Sequence, residues 1–238
     1  MANWNLQSTW DELYSIKIRN PAKPNYGQSV GYTREGMIAA SNPYSDNLDF
    51  YIERIRTLLN RNDLTPNQDV LVIGCGLPFL VEVLMDNALW ISLGYPAPNA
   101  NVYGMDNSTL IQTLALTETP AVSTRLLLGN IFTSVSVLLT TLLRPVFGGN
   151  GRVGIVVTED VLPDIADEDL ATFFSQCEGL ATNSGTIIHF VTCNDGSAIP
   201  PSFSTIGMFW RTLETYHALA PTHIFLSCNE GYRSLGGA

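Results

Sequence analysis

The sequence predicts an α/β protein: a mostly parallel, doubly wound sheet with helices on both faces and a C-terminal antiparallel hairpin. From about residue 69 onward, short β-branched apolar runs alternate with segments of helical period. Strand and helix alternate in this way five or six times, which is typical of a parallel sheet covered on both faces. The chain has 238 residues, of which 45% are hydrophobic and 14% charged, so we expect one large core.

The individual elements can be placed from this periodicity. Ser45 is a suitable N-cap for a first helix that ends near residues 60–62. Strands are expected at 69–73, 101–105, 125–128, 152–158, 186–192 and 222–228. Helices are expected at about 77–90, 109–118, 133–147, from 167 onward, and 205–219. The hairpin is expected at 229–235, after the last strand.

The first 44 residues differ from the rest of the chain. They are polar, interrupted by proline and rich in aromatic residues, so we interpret 1–44 as a lid or appendage and 45–238 as the α/β domain. Tyr26, Tyr32, Arg34 and Tyr44 are candidates to close over a site. For the tyrosines, packing against the sheet edge is the alternative, and Arg34 could instead pair with an acid.

Composition excludes several classes of protein. The net charge of −10 argues against a protein that tracks duplex phosphates, since such binding depends on clustered cations. The four cysteines are widely spaced and form no CxxC pair, so we expect reduced core residues of an intracellular protein. The start of the chain shows no secretory signal and no run fits a membrane helix, which predicts a cytoplasmic protein. No metal site is expected around the three histidines.

The first two strands are followed by residues suited to a nucleoside. Ligands of open parallel sheets bind beyond the carboxyl ends of the strands. Gly74, Cys75 and Gly76 follow the first strand, and glycines there let the backbone approach a ligand closely. Asp106 and Asn107 follow the second strand, where a carboxylate can accept hydrogen bonds from both ribose hydroxyls. Alternatively, Asp106 only caps the helix that begins near residue 108.

The third and fourth strands are also followed by polar residues. Asn130 and Ile131 could offer an amide and an apolar contact to a purine, although asparagine is also common in turns. Glu159, Asp160 and Asp164 come after the fourth strand, among apolar residues that favour burial. One or more of these carboxylates could face a cationic or hydrogen-bond-donating ligand, and surface charge is the alternative.

Taken in order, these places resemble the class I methyltransferases that use S-adenosylmethionine, over about 69–228. The resemblance implies that 70–76 is the glycine motif under the methionine part of this cofactor and that Asp106 holds its ribose. It further implies that Asn130 and Ile131 lie at the adenine edge, and that Glu159 lies near the cofactor. The chain departs from the family at Pro78, where a third small residue is usual.

The resemblance implies transfer of a methyl group to a small-molecule or protein acceptor, with Asp160, Glu159 or Asp164 as the base. A nucleic-acid acceptor is disfavoured, because the loop after the fourth strand lacks the Asn/Asp-Pro-Pro-aromatic motif. The alternatives are a non-catalytic binding or regulatory module and a nicotinamide-dependent oxidoreductase, whose pattern requires glycine where Phe79 stands. P-loop and Gly-x-Ser-x-Gly motifs are both absent from the sequence. The sequence does not identify the oligomeric state.

Overall fold

A computed structural model describes residues 47–159, 161–191, 193–194, 196 and 209–227. The predicted lid at 1–44, the predicted hairpin at 229–235, and the residues Asp160 and Cys228 lie outside the described residues. The strands are β1 (Val70–Ile73), β2 (Val102–Asp106), β3 (Leu126–Leu128), β4 (Val153–Glu159), β5 (Ala181–Val191) and β6 (Ile224–Ser227). The helices are α1 (Asn47–Asn60), α2 (Phe79–Leu84), α3 (Asn87–Ser92), α4 (Thr109–Glu118), α5 (135–147), α6 (Asp167–Leu180) and α7 (Leu213–Leu219).

The six strands form one sheet in the order β3-β2-β1-β4-β5-β6, and every neighbouring pair is parallel. The chain therefore winds outward from β1 in one direction and from β4 in the other. At such a reversal the loops after the two central strands lead to opposite faces of the sheet, and ligands of open α/β sheets bind there, beyond the carboxyl ends. Ile73, the last residue of β1, pairs with Met105 on one side and with Thr158 on the other.

Each face of the sheet has its own hydrophobic core, because alternate strand residues point to opposite sides. In β1, Val70 and Val72 join the core under α1, α2, α3 and α4, whereas Leu71 and Ile73 join the core under α5, α6 and α7. The β1 side chains are almost completely buried on both faces of the sheet. This two-sided packing confirms the predicted doubly wound α/β fold, and it fixes the strand ends that carry the candidate site.

The prediction of one helix at 77–90 is wrong, since two short helices occupy this stretch. The first ends at Leu84 with Met85 as its C-cap, and Asp86 caps the second. The Asp86 carboxylate accepts hydrogen bonds from the backbone N–H groups of Ala88 and Leu89 at 2.9 and 3.2 Å. Aspartate at an N-cap satisfies donors that have no partner inside the helix. The apolar period continues across the break, which is why periodicity alone does not reveal it.

Helix α5 contains a segment that the pattern does not predict. Its parts are α-helix Val135–Val137, π-helix Leu138–Leu143 and α-helix Arg144–Phe147. The hydroxyls of Thr140 and Thr141 donate to backbone carbonyls one turn earlier, at 2.7–2.8 Å. Such bonds compete with the regular helical ladder and bend helices.

Two further boundaries differ from expectation. Strand β5 begins at Ala181 rather than at 186, because Ala181 pairs with Val153 before a register irregularity. Helix α7 begins only at Leu213, where Thr212 is the N-cap and accepts a hydrogen bond from Thr215 N at 3.2 Å. The described residues 209–212, predicted to be helical, are neither helix nor strand and are bonded to the loops at 163 and 194.

Candidate functional site

The predicted glycine bend directly follows β1. Gly74 and Gly76 have φ values of +66° and +51°, a left-handed conformation that costs glycine little and other residues about 1–2 kcal/mol. A Cβ built on Gly74 would overlap the side chain of Val161, which belongs to the loop after β4. The loops that follow the two central strands are therefore in direct contact where the winding reverses.

Cys75 is the middle residue of this bend. Its side chain turns into the core, so only its backbone is available at the rim. The residue is 7% exposed, and its Sγ lies 2.6 Å from the position that a Cβ on Gly104 would take. Burial, and after it the charges of Asp106 and Glu159, raise the pKa of the Cys75 thiol well above its usual range. The thiol is thus neutral at physiological pH and unsuited to act as a nucleophile.

Asp106 is bonded directly to the glycine bend. Its Oδ2 accepts a hydrogen bond from Gly76 N at 2.9 Å, and its Oδ1 accepts one from Ser108 N at 2.9 Å. Asp106 is buried, with 6% of its surface exposed. The carboxylate after β2 and the bend after β1 therefore stand side by side on one rim of the sheet. The residue that caps α4 is Ser108, whose Oγ accepts from Ile111 N at 3.2 Å.

The other predicted cofactor residues lie along the same rim. Asn107 is half-buried between Asp106 and the helix cap. Gly129 N donates to Asp106 O at 2.9 Å, so the turn after β3 adjoins the end of β2. Within that turn, Asn130 Oδ1 accepts from Phe132 N at 2.9 Å, and Ile131 packs into the core beside α5 and α6. The turn role of Asn130 is the structural alternative that the sequence left open.

Glu159 ends β4 and forms an ion pair with a residue that sequence reasoning missed. Arg54 of α1 places Nη1 3.3 Å from Glu159 Oε1, and the two side chains are 9% and 16% exposed. The Arg54 guanidinium also lies 4.4 Å above the ring of Phe190, the β5 partner of Glu159. Helix α1 is thereby anchored over the ends of β4 and β5, and this charge pair forms one side of the site.

Asp164 is buried in the loop after β4, within a short 3-10 turn formed by Leu162–Asp164. The same loop is held by Arg211, a second residue that the sequence did not single out. Arg211 lies close in space because residues 209–212 run alongside this loop, with Phe209 N donating to Pro163 O at 2.7 Å. No local motif marks this arginine, since its partners lie more than 40 positions away.

On the α6 side of the sheet, the structure brings together polar residues that the sequence left separate. Thr158 Oγ1 and His189 Nδ1 are 2.7 Å apart, and His189 Nε2 and His223 Nδ1 are 2.9 Å apart. His223 Nε2 then faces Glu178 Oε1 at 3.4 Å. These side chains form a continuous row from the buried end of β4 to Glu178, which is 56% exposed. We call these four residues the histidine chain.

The direction of hydrogen bonding in the histidine chain follows from its outer end. His223 Nε2 makes no hydrogen bond with ideal geometry, but the Glu178 carboxylate facing it at 3.4 Å favours the proton on Nε2, so that a neutral His223 accepts on Nδ1. His189 then donates from Nε2 and accepts from the Thr158 hydroxyl. Burial lowers the pKa of His189 well below its usual range, with His223 adding to the effect. Burial also lowers the pKa of His223, and Glu178 partly opposes this shift.

These shifts predict a loss of stability in acid. Histidines in the unfolded protein titrate near pH 6.5, whereas His189 and His223 in the folded protein become protonated only at lower pH. Below about pH 6.5 the unfolded state therefore binds more protons, and each buried histidine should remove up to about 1.4 kcal/mol of unfolding free energy per pH unit. Urea denaturation at pH 7.5, 6.5 and 5.5 measures this slope. It should shrink in His223→Gln and persist in His217→Gln, which alters an exposed histidine of α7. Equal stability at all three pH values would contradict the prediction.

Among the described residues, no group of three or more histidine, cysteine or acidic side chains could hold a metal ion. Cys75, Cys177 and Cys193 are all buried, as predicted. Within the part of the chain that the structure covers, no helix has both the length and the apolarity needed to cross a bilayer.

Comparison with known proteins gives matches at the level of structure. No protein-family model matches the sequence, and no curated protein matches it either. The solved structure of magnesium protoporphyrin IX methyltransferase from Synechocystis PCC 6803 with bound SAM is similar, with a TM-score of 0.51 and 15% identity. That match covers 92% of this chain and 85% of the other.

Two further solved structures have lower scores. The same Synechocystis enzyme with bound SAH matches 74% of this chain and 72% of its own, with a TM-score of 0.47 and 16% identity. Mitomycin 7-O-methyltransferase MmcR matches 65% of this chain, with a TM-score of 0.45 and 13% identity. The chain spans only 42% of the length of MmcR.

The match to the SAM-bound Synechocystis structure confirms, at the level of the fold, the resemblance that the sequence motifs carried. The chain has the fold of the class I methyltransferases that use S-adenosylmethionine.

Proposed function

We propose that this protein binds S-adenosylmethionine at the rim formed by the glycine bend and Asp106, and transfers its methyl group to a small-molecule or protein acceptor. The observation that carries the proposal is the 2.9 Å hydrogen bond between Asp106 Oδ2 and Gly76 N. It joins the two features that an adenosine needs, a carboxylate for the ribose and a bend without side chains. A carboxylate oxygen can accept more than one hydrogen bond, so the bonds from Gly76 N and Ser108 N do not by themselves prevent Asp106 from accepting ribose hydroxyls.

The start of α2 favours this cofactor over a nicotinamide dinucleotide. A dinucleotide places its pyrophosphate on free backbone N–H groups at the helix start. Here the N-cap is Pro78, which has no N–H, and Phe79 N already donates to Leu77 O at 2.7 Å. Glu82 adds a negative charge in the first turn. Two donors are thereby removed from the place where a doubly charged anion needs them.

In the proposed reaction, the bound cofactor supplies an activated methyl group. The chain's own residues have two tasks: to align the acceptor with that methyl group and to accept the proton that an amine or hydroxyl acceptor loses. Alignment alone can contribute about 7–11 kcal/mol to catalysis. The proposed bases are Glu159, the last residue of β4, and Asp160 and Asp164, which come after it in the sequence. The ion pair with Arg54 holds the carboxylate of Glu159 at the strand end.

The proposal is tested by calorimetry with S-adenosylmethionine, its demethylated product and NAD, each titrated into the full chain. We expect binding of the first two ligands and no heat of binding with NAD. Binding of NAD alone would replace the proposal with an oxidoreductase. Absence of binding for all three ligands would refute a cofactor site at this rim.

A non-catalytic binding module remains the second candidate, favoured by one observation. Of the proposed bases, Glu159 is already paired with Arg54, and Asp164 is only 5% exposed. Incubation with S-adenosylmethionine and a panel of amine, hydroxyl and carboxylate acceptors separates the two candidates. Formation of the demethylated product supports the transferase. Tight binding without product formation over hours supports the module.

A further inference from the structure

Arg211 lies at the carboxyl edge of the described sheet and donates hydrogen bonds through all three of its side-chain nitrogens. Its Nη1 donates to Leu162 O at 3.1 Å, and its Nη2 donates to Ile165 O at 2.7 Å. Its Nε donates to Asp167 Oδ1 at 2.7 Å. The side chain is 7% exposed. One guanidinium therefore joins two buried backbone carbonyls at either end of a tight turn.

The segment that carries Arg211 is itself fixed on both sides. Phe209 N donates to Pro163 O at 2.7 Å, in the middle of the same turn. Asn194 N, beyond the end of β5, donates to Arg211 O at 2.6 Å. The Phe209 ring lies 4.5 Å from the guanidinium carbon. These contacts fix the position of Arg211 in addition to its own hydrogen bonds to the loop.

The turn that Arg211 holds forms part of the proposed site. Residues 161–166, which we call the β4 loop, begin with Val161, whose side chain fills the space over Gly74. Leu162 and Ile165 are buried in the core beneath, at 0% and 3% exposure. Asp164, one of the proposed bases, lies between them. A shift of this loop would move the wall over the glycine bend and the carboxylate together.

We propose that Arg211 is a positioning residue, which bridges the carbonyls of Leu162 and Ile165 and so holds the β4 loop against the glycine bend. The proposal rests on the proposed function only for its effect on cofactor binding. The planar, forked guanidinium reaches two acceptors in fixed directions, and a lysine ammonium on a flexible stem does not reproduce this geometry. A positive charge at position 211 is therefore not enough to hold the β4 loop; the planar shape of the guanidinium is also required.

Arg211→Lys is the first test, because it keeps the charge and most of the side-chain volume. Hydrogen exchange should accelerate about tenfold or more at the amides of Asp164 and Ile165, which donate within the turn. Exchange in β1 should stay at the wild-type rate. Affinity for S-adenosylmethionine, measured where both proteins are fully folded, should fall about tenfold, since small displacements of positioning groups have large effects.

Arg211→Ala with added methylguanidinium is the second test. The truncated side chain leaves room for the small cation, which offers the same planar donors. Slow exchange in the β4 loop should return as methylguanidinium is added, and it should not return with methylammonium. Equal effects of both cations would show that charge alone matters and would overturn the proposal.

Two control variants isolate the carbonyl bridge. Asp167→Asn removes the ion pair with a residue that is 77% exposed, and exposed pairs contribute little. Arg125→Lys removes an arginine that stacks on Tyr103, 4.8 Å from its ring, near the other edge of the sheet. Both should leave β4-loop exchange and cofactor affinity unchanged. An Asp167→Asn variant that behaves like Arg211→Lys would assign the effect to the ion pair instead.

The outcomes separate this inference from the proposed function. A wild-type chain that binds no S-adenosylmethionine refutes the function, while the exchange measurements still decide the role of Arg211. A wild-type chain that binds the cofactor, with Arg211→Lys equal to it in exchange and affinity, refutes the positioning role alone.

Discussion

Replacement of Asp106 by alanine should weaken binding of S-adenosylmethionine at least tenfold, about 1.4 kcal/mol. It should also lower the free energy of unfolding by about 1–3 kcal/mol, because Gly76 N and Ser108 N lose their buried acceptor. The second effect follows only from the structure. From the sequence alone, this aspartate is a ligand for ribose whose loss leaves the fold intact.

Asp86→Ala is the matched control for this experiment. Asp86 also accepts two backbone N–H bonds, but it does so at an exposed helix N-cap on the α2–α3 connection. Its loss should cost about 1 kcal/mol of stability and leave cofactor affinity unchanged. Calorimetry and urea denaturation of both variants separate binding from stability. Unchanged affinity in a folded Asp106→Ala protein would rule out the ribose role.

Replacement of Gly74 by alanine should have the larger effect on stability. The positive φ costs about 1–2 kcal/mol for an alanine. The new methyl group also overlaps Val161, and overpacking of this kind adds about 1–3 kcal/mol. Where the overlap is relieved by a shift of the β4 loop, affinity for S-adenosylmethionine should fall as well. Urea denaturation and calorimetry on the same preparation measure both losses.

Two companion variants divide the cost of Gly74→Ala into its parts. Gly149→Ala places an alanine at φ +53° with no atom within 4 Å of the new Cβ, so it should show the backbone cost alone. In the double variant Gly74→Ala/Val161→Ala, the packing cost should be relieved and the backbone cost should remain. If Gly74→Ala costs no more than Gly149→Ala, then the contact between the two loops does not constrain the bend.

The sequence by itself determined the features whose signals are local. Alternation of β-branched runs with helical periods is enough to predict a parallel sheet covered on both faces. The positions of Gly74, Gly76 and Asp106 directly after strands are enough to place them at one rim, because parallel strands end at the same edge. The structure confirms both. Helix boundaries at Asp86 and Thr212 were not predictable from apolar spacing, since a polar cap decides them.

Only the tertiary structure decided which charged and polar groups meet one another. Arg54 pairs with Glu159 across 105 positions, Arg211 reaches Leu162 across 49, and His189 meets His223 across 34. No local sequence motif predicts such pairs, because each residue taken alone is compatible with an ordinary position at the surface or in the core. Burial makes them specific: a charged or polar group that leaves water must find a partner, and the folded sheet determines which partner is within reach.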